Sequence, residues 1–300
     1  RFLEKSRQVG ATVFVHAENG EILNFLRSEC VKKGQLTPHY HYVSRPPFTE
    51  AEAVRRAIYL AGQTDTPLYI AHMTCREAIA ELQKAKGTGQ RVSGETCTHY
   101  LTTTKEVLDN PDFNEAAKFV CSPALRDQED CEALWQALAG GLLTAVSSDH
   151  CGIDVAELKQ AGRDDFTQIP NGSPGAGDRL HMVWTEGVCT GKLSRQKFVD
   201  VIATQPAKIN GIYPRKGTLA VGSDADIVIF DPSYEGVIRL ADNPNGVDYN
   251  LYEGHRQSGR VETVLLRGQV VVENAKFVGR YGQGQFIPAS MYASGYENRN

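Results

Sequence analysis

Three short apolar runs in this chain end on a side chain able to bind a metal ion, and that repetition constrains the fold more than any other feature. Ala11 to His16 reads ATVFVH, Pro67 to His72 reads PLYIAH, and Leu142 to His150 reads LLTAVSSDH, with Asp149 as its acidic end. Buried parallel strands look like this: brief β-branched or apolar stretches that deliver a polar residue to the C-terminal rim of the sheet. His, His and Asp are N and O donors suited to a divalent ion. One such ending would mean little, whereas three of one polarity imply a shared site.

The segments between these runs have helical period. Glu21 to Lys33, Glu50 to Ala61 with Thr49 as its N-cap, Arg76 to Lys84 and Cys131 to Leu138 are expected helices, and Arg91 to Glu95 a further strand. The stretches Thr37 to Phe48 and Gly152 to Asp178 read as loops. Strands alternating with helices of this size imply right-handed βαβ units, and four strands are half of an eight-stranded barrel. Helices are expected over Arg179 to Val188, Ser194 to Ala203 and Pro206 to Asn210. Near Pro214 the pattern changes to turn-separated β-rich runs, Asp226 to Asp231 and Val261 to Val272, so a small all-β module begins there. Beyond Gly279 a glycine-rich tail with several tyrosines is expected to lie against another surface or to move freely.

Charge and cysteine content narrow the function. A net charge of -4 with scattered Lys and Arg argues against nucleic-acid and anionic-membrane partners. No stretch is long and apolar enough to span a bilayer, and the first residues lack the apolar core of a signal peptide. Seven irregularly spaced cysteines fit reduced thiols in a cytoplasmic protein better than a disulfide framework.

Several motifs together resemble the bacterial D-hydantoinase and dihydropyrimidinase family of the amidohydrolase superfamily. They are VHAENGE at Val15 to Glu21, SRPP at Ser44 to Pro47, GETCTHYL at Gly94 to Leu101, CSPALR at Cys121 to Arg126, SSDH at Ser147 to His150, IPNGSPG at Ile169 to Gly175 and PRKGTLAVGSDADIVIFDP at Pro214 to Pro232. HAENG with the later asparagine loop is the specific pair, since the last stretch is shared across the superfamily. The resemblance implies an α/β fold: the second half of a (β/α)8 (TIM-type) barrel over 1–213, part of a flanking β-sandwich over 214–279, and a tail over 280–300. It also implies two divalent ions, most often zinc, bridged by a carboxylated lysine and a hydroxide. His16 and His72 would hold the more exposed ion and Asp149 the more buried one. Ser122 and Asn171 would hold the substrate ring largely through main-chain groups. An HxH pair and the bridging lysine are expected upstream of Arg1, so the chain reads as a fragment of a longer polypeptide, the favoured reading, or as a truncated relative that cannot assemble the site unaided. Ser147, Ser173 and Ala124 depart from common family residues without touching the expected ligands.

The implied reaction is metal-dependent opening of a hydantoin or 5,6-dihydropyrimidine ring to an N-carbamoyl amino acid, in a cytoplasmic homotetramer. A paired ion site would activate water and polarise the carbonyl, and Asp149 would take the nucleophile's proton and pass it to the departing nitrogen. The alternatives are a non-catalytic assembly or scaffold relative and a neighbouring cyclic amidohydrolase such as allantoinase. His39 and His41 copy the spacing of an HxH pair but have no strand to present them, so they read as non-ligands. His150 must point away from Asp149 if the strand continues, and reads either as a residue supporting the ligands from behind or as a structural one. His99, His181 and His255 read as structural or surface groups. Cys151 lacks a paired base, and Gly172 to Gly177 lacks the preceding strand that a dinucleotide loop needs.

Overall fold

A computed structural model describes residues 1–290. The fold is α/β, with half of a (β/α)8 barrel beside part of an antiparallel sheet. After helix α1 (Phe2–Gln8), the barrel half runs β1 (Val13–Val15), α2 (Gly20–Lys32), α3 (His39–Val43), α4 (Pro47–Gln63), β2 (Leu68–Ile70), α5 (Arg76–Gly87), β3 (Val92–Cys97), α6 (Thr98–Thr102), α7 (Phe113–Ala117), α8 (Gln128–Ala139) and β4 (Ala145–Ser147). The four strands are parallel in the order β1-β2-β3-β4, with Val13 opposite Leu68, Leu68 opposite Val92 and Glu95 opposite Ala145. Each helix returns the chain to the next strand and covers one sheet face with Val54, Ala61, Ala78, Leu82, Leu134 and Leu138, all buried.

Local chemistry explains where the elements start, and it corrects two expectations. Thr49 does not cap α4. Pro47 occupies the first helical turn, where a missing N–H costs nothing, and the Thr49 hydroxyl donates back to the Pro46 carbonyl at 2.8 Å. The Thr37 to Phe48 stretch is not all loop: Pro38 leads into the five-residue α3, which buries His41. Asn19 caps α2, its Oδ1 accepting from the Ile22 N–H at 3.2 Å. The Gly152 to Asp178 loop carries two single 3-10 turns, Lys159–Gly162 and Phe166–Gln168.

Beyond β4 come α9 (Arg179–Val183), α10 (Arg195–Val199) and α11 (Gln205–Ile209), the first two continuing as π-helical turns. Strands β5 (Ile227–Val237), β6 (Arg256–Leu266), β7 (Gln269–Glu273) and β8 (Lys276–Phe277) then form an antiparallel sheet in sequence order. It docks on the barrel half through Trp184, whose ring packs edge-on to Phe230 at 4.8 Å, and through the Ser258 N–H, which donates to Thr185 Oγ1 at 3.0 Å. Asp178 ties in the 243–250 segment by accepting from the side-chain amides of Asn243, Asn245 and Asn250. Among the described residues no helix is long and apolar enough to cross a membrane. Of the tail's tyrosines, on which its expected contact role rested, Tyr281 is fully exposed, and Tyr292 and Tyr296 lie outside the described residues.

Candidate metal centre at the strand ends

Hydrogen-bonded strand stops short of each run's polar end. β1 ends at Val15, β2 at Ile70 and β4 at Ser147, so His16, His72 and Asp149 sit on the turns just past the same rim of the sheet. His72 and Asp149 turn there with positive φ, 36° and 44°, a region that Asp, Asn and His enter more readily than other side chains. Surrounding contacts hold these bends. The Met73 N–H donates to the Glu95 carbonyl at 2.8 Å, and the Cys151 N–H to the Ser173 carbonyl at 3.0 Å. Strain held this way is a feature of functional turns.

His16 and His72 meet. Nδ1 of His16 lies 3.0 Å from Nε2 of His72, with the rings edge to face. The far nitrogen of His16, Nε2, lies 3.1 Å from Glu18 Oε2, and Glu18 is itself buried and paired with Arg45 Nη1 at 2.8 Å. Burial alone would raise the Glu18 carboxyl, but the His16 hydrogen bond and the Arg45 charge outweigh it and bring it to about 2. An ionised Glu18 is an acceptor only, so it accepts from the His16 Nε2–H, and the Nδ1 lone pair of that tautomer faces His72. Two ring nitrogens bound to one tetrahedral zinc at about 2.0–2.1 Å stand a little over 3 Å apart. The imidazole pair fits a shared cation on that ground, and burial, with His16 beside it, keeps His72 deprotonated and able to donate. The His72 Nδ1 is buried with no hydrogen-bond partner. Asp149 acts on His72 through its charge, opposing the effect of burial. Among the described residues no three His, Cys, Asp or Glu side chains form a cluster able to hold an ion, so His16 and His72 meet as a pair and Asp149 does not join them in one cluster.

Glu18 and Arg45 escaped the sequence reading, although both lie in quoted motifs. The signal was the carboxylate two residues after His16 in HAE. A carboxylate that orients a ligating histidine sets its tautomer and basicity. Glu18→Gln is therefore expected to weaken zinc binding by about 10- to 100-fold in a chelator-competition titration. Affinity equal to the parent's would remove Glu18 from this role.

The remaining candidates fall into two groups. Ser122 follows Cys121 on the segment after α7, and its Oγ is buried without a partner. Asn171 is exposed on the loop opposite, and the Gly172 N–H donates to the Val120 carbonyl at 3.0 Å, so the two segments are neighbours. His41 Nε2 bonds the Cys121 carbonyl at 2.7 Å and the Tyr100 hydroxyl donates to the Pro123 carbonyl at 2.7 Å, both bracing Ser122. His39 Nδ1 pairs with Asp109 Oδ1 at 2.6 Å. His150 Nδ1 accepts from the Gly175 N–H at 3.3 Å, a structural tie to the asparagine loop. A cleft of about 340 Å³ opens on the sheet face, lined by Phe14, Tyr69, Glu95, Ser147 and Arg179, with the Tyr69 hydroxyl donating to Glu95 at 2.9 Å.

Comparison with known proteins places the chain in a family. The amidohydrolase family pattern matches residues 2–271. A D-hydantoinase of Ralstonia pickettii is 48% identical over 97% of this chain and 63% of its own length. A dihydropyrimidinase of Arabidopsis thaliana is 39% identical over 97% of the chain and 55% of its own length. The crystal structure of a dihydropyrimidinase from Brevibacillus agri superposes with a TM-score of 0.95 at 44% identity, over 97% of this chain and 63% of that one. The chain spans a little under two thirds of the length of the D-hydantoinases it matches.

Proposed function

Since the chain belongs to the amidohydrolase family, we propose that it carries part of an active site that opens a hydantoin or 5,6-dihydropyrimidine ring to an N-carbamoyl amino acid. The observation that supports this most is the 3.0 Å approach of His16 Nδ1 to His72 Nε2 on adjacent strand ends, beside an acidic residue of the same rim. By this reading His16 and His72 hold one of two divalent ions, zinc by preference, and Asp149 the other. By the same reading a carboxylated lysine and an HxH pair complete the donor set. When bound, the ions supply a nucleophile at neutral pH and polarise the scissile carbonyl.

The chain's own groups do the rest. Ser122 and Asn171 present main-chain N–H and C=O groups to the planar imide and fix the ring. Glu18 orients His16. As the water oxygen bonds to the ring carbonyl carbon and the C–N bond breaks, Asp149 takes the water proton and returns it to the leaving nitrogen. Seven free thiols, five of them buried, support a reducing cytoplasmic setting.

The test is metal analysis of the full-length protein together with a ring-opening assay on hydantoin and dihydrouracil. About two equivalents of divalent metal per subunit and turnover of either ring are expected. Absence of both would leave the non-catalytic scaffold, and turnover of allantoin alone would move the protein to a neighbouring activity.

A further inference from the structure

Lys159 is fully buried, at 0% exposure, and the oxygens that receive its charge are all main-chain carbonyls. Its ammonium donates to the carbonyls of Ala117 at 2.8 Å, Val120 at 3.3 Å and Gly172 at 2.7 Å. An ammonium has three donors and no acceptor, so three carbonyls satisfy it completely. Two of them lie within five residues before Ser122, and the third directly follows Asn171. A buried charge is costly, and an apolar side chain of similar volume would fill the same space for less. What the charge adds is direction: charge-assisted hydrogen bonds hold three carbonyls at fixed spacing from one atom.

We propose that Lys159 is a positioning residue of the substrate site, its ammonium setting the distance between the segment that carries Ser122 and the segment that carries Asn171. The proposal rests on the reading of those two residues given above. One planar imide must meet main-chain groups from both segments at once, so a small slip between them costs binding directly. The groups facing Lys159 are few. The Tyr249 ring lies 6.0 Å from Nζ, the Cys121 and Cys151 thiols are near enough to act on it, and His41 feels its charge. Burial pushes Lys159 down to about 8, while it raises Cys121 to about 11 and lowers His41 to about 3. As Lys159 loses its proton, two donors remain for three carbonyls and the spacing relaxes.

The experiment uses the full-length protein with Lys159→Met and, separately, Cys151→Ser, which removes the exposed thiol near the ammonium. In Lys159→Met the KM for a hydantoin is expected to rise about ten-fold or more, with kcat within about three-fold and metal content unchanged. Amide exchange is expected to quicken in 117–123 and 169–175 together. In Cys151→Ser the KM is expected to climb between about pH 7 and about pH 9, and in Lys159→Met to stay flat across that range. An unchanged KM, or a fall in kcat alone, overturns the proposal. If Lys159→Met does not fold, the pH series on Cys151→Ser decides, and a flat KM there overturns it. If the parent opens no ring, the functional reading fails by itself. The exchange measurement still judges Lys159, and undisturbed protection of both segments would overturn its role.

Discussion

Asp149→Asn in the full-length protein is expected to lower the proposed ring-opening turnover by at least about 10³-fold without unfolding it, if one carboxylate both binds an ion and moves the proton. Asparagine is the informative replacement. It keeps the size of the side chain and tolerates the positive φ of 44° at this position. Alanine would add roughly 1 kcal/mol of backbone strain and blur the result. Steady-state rates with circular dichroism and metal content measure the effect. Turnover within about ten-fold of the parent would take proton transfer away from Asp149.

Arg126→Met is expected to cost about 3–5 kcal/mol of folding stability, because it strands a buried carboxylate. Arg126 and Glu50 are 5% and 2% exposed. Arg126 Nη2 donates to Glu50 at 3.1 Å, its Nε to Thr74 Oγ1 at 2.8 Å, and its Nη1 to the Arg45 carbonyl. Glu50 also accepts from the Thr74 N–H at 2.8 Å and from the Thr74 hydroxyl. Burial pushes the Glu50 carboxyl up, and Arg126 with the Thr74 donors opposes that. Thermal unfolding should shift by roughly 10 °C for the single variant. Adding Glu50→Gln should recover part of the loss, since the stranded charge is then gone. A single variant within about 1 kcal/mol of the parent would show that the pair carries little. The knot also reaches the proposed metal site, because Arg126 braces Arg45, Arg45 pairs with Glu18 and Glu18 holds His16.

Strand and helix alternation and the polar strand ends were legible because both are written locally, in periods of a few residues and in the last residue of each run. The bonds that orient those ends were not. Arg45 reaches back 27 positions to Glu18, and Arg126 reaches back 76 to Glu50. In the sequence each is one more charged residue, and only the packed helices show that it is interior. The aromatic stretch after Thr37 hid α3 for a related reason. Its five residues are too few for a helical period to stand out, and its purpose is to carry His41 inward to the Cys121 carbonyl. Lys159 was invisible for the same cause, since nothing local distinguishes it from a solvated lysine.

The left-handed turns at His72 and Asp149 bear on which replacements these sites can accept at all. Valine, isoleucine or threonine would be rejected there by the main chain before any question of reactivity arose, whereas glycine and asparagine would pass and, under the proposed roles, fail only as ligands. A saturation library scored once for yield and once for turnover would therefore separate into two distinct classes of loss at these positions. At His16, where the turn has no such bend, the same library would show the second class alone.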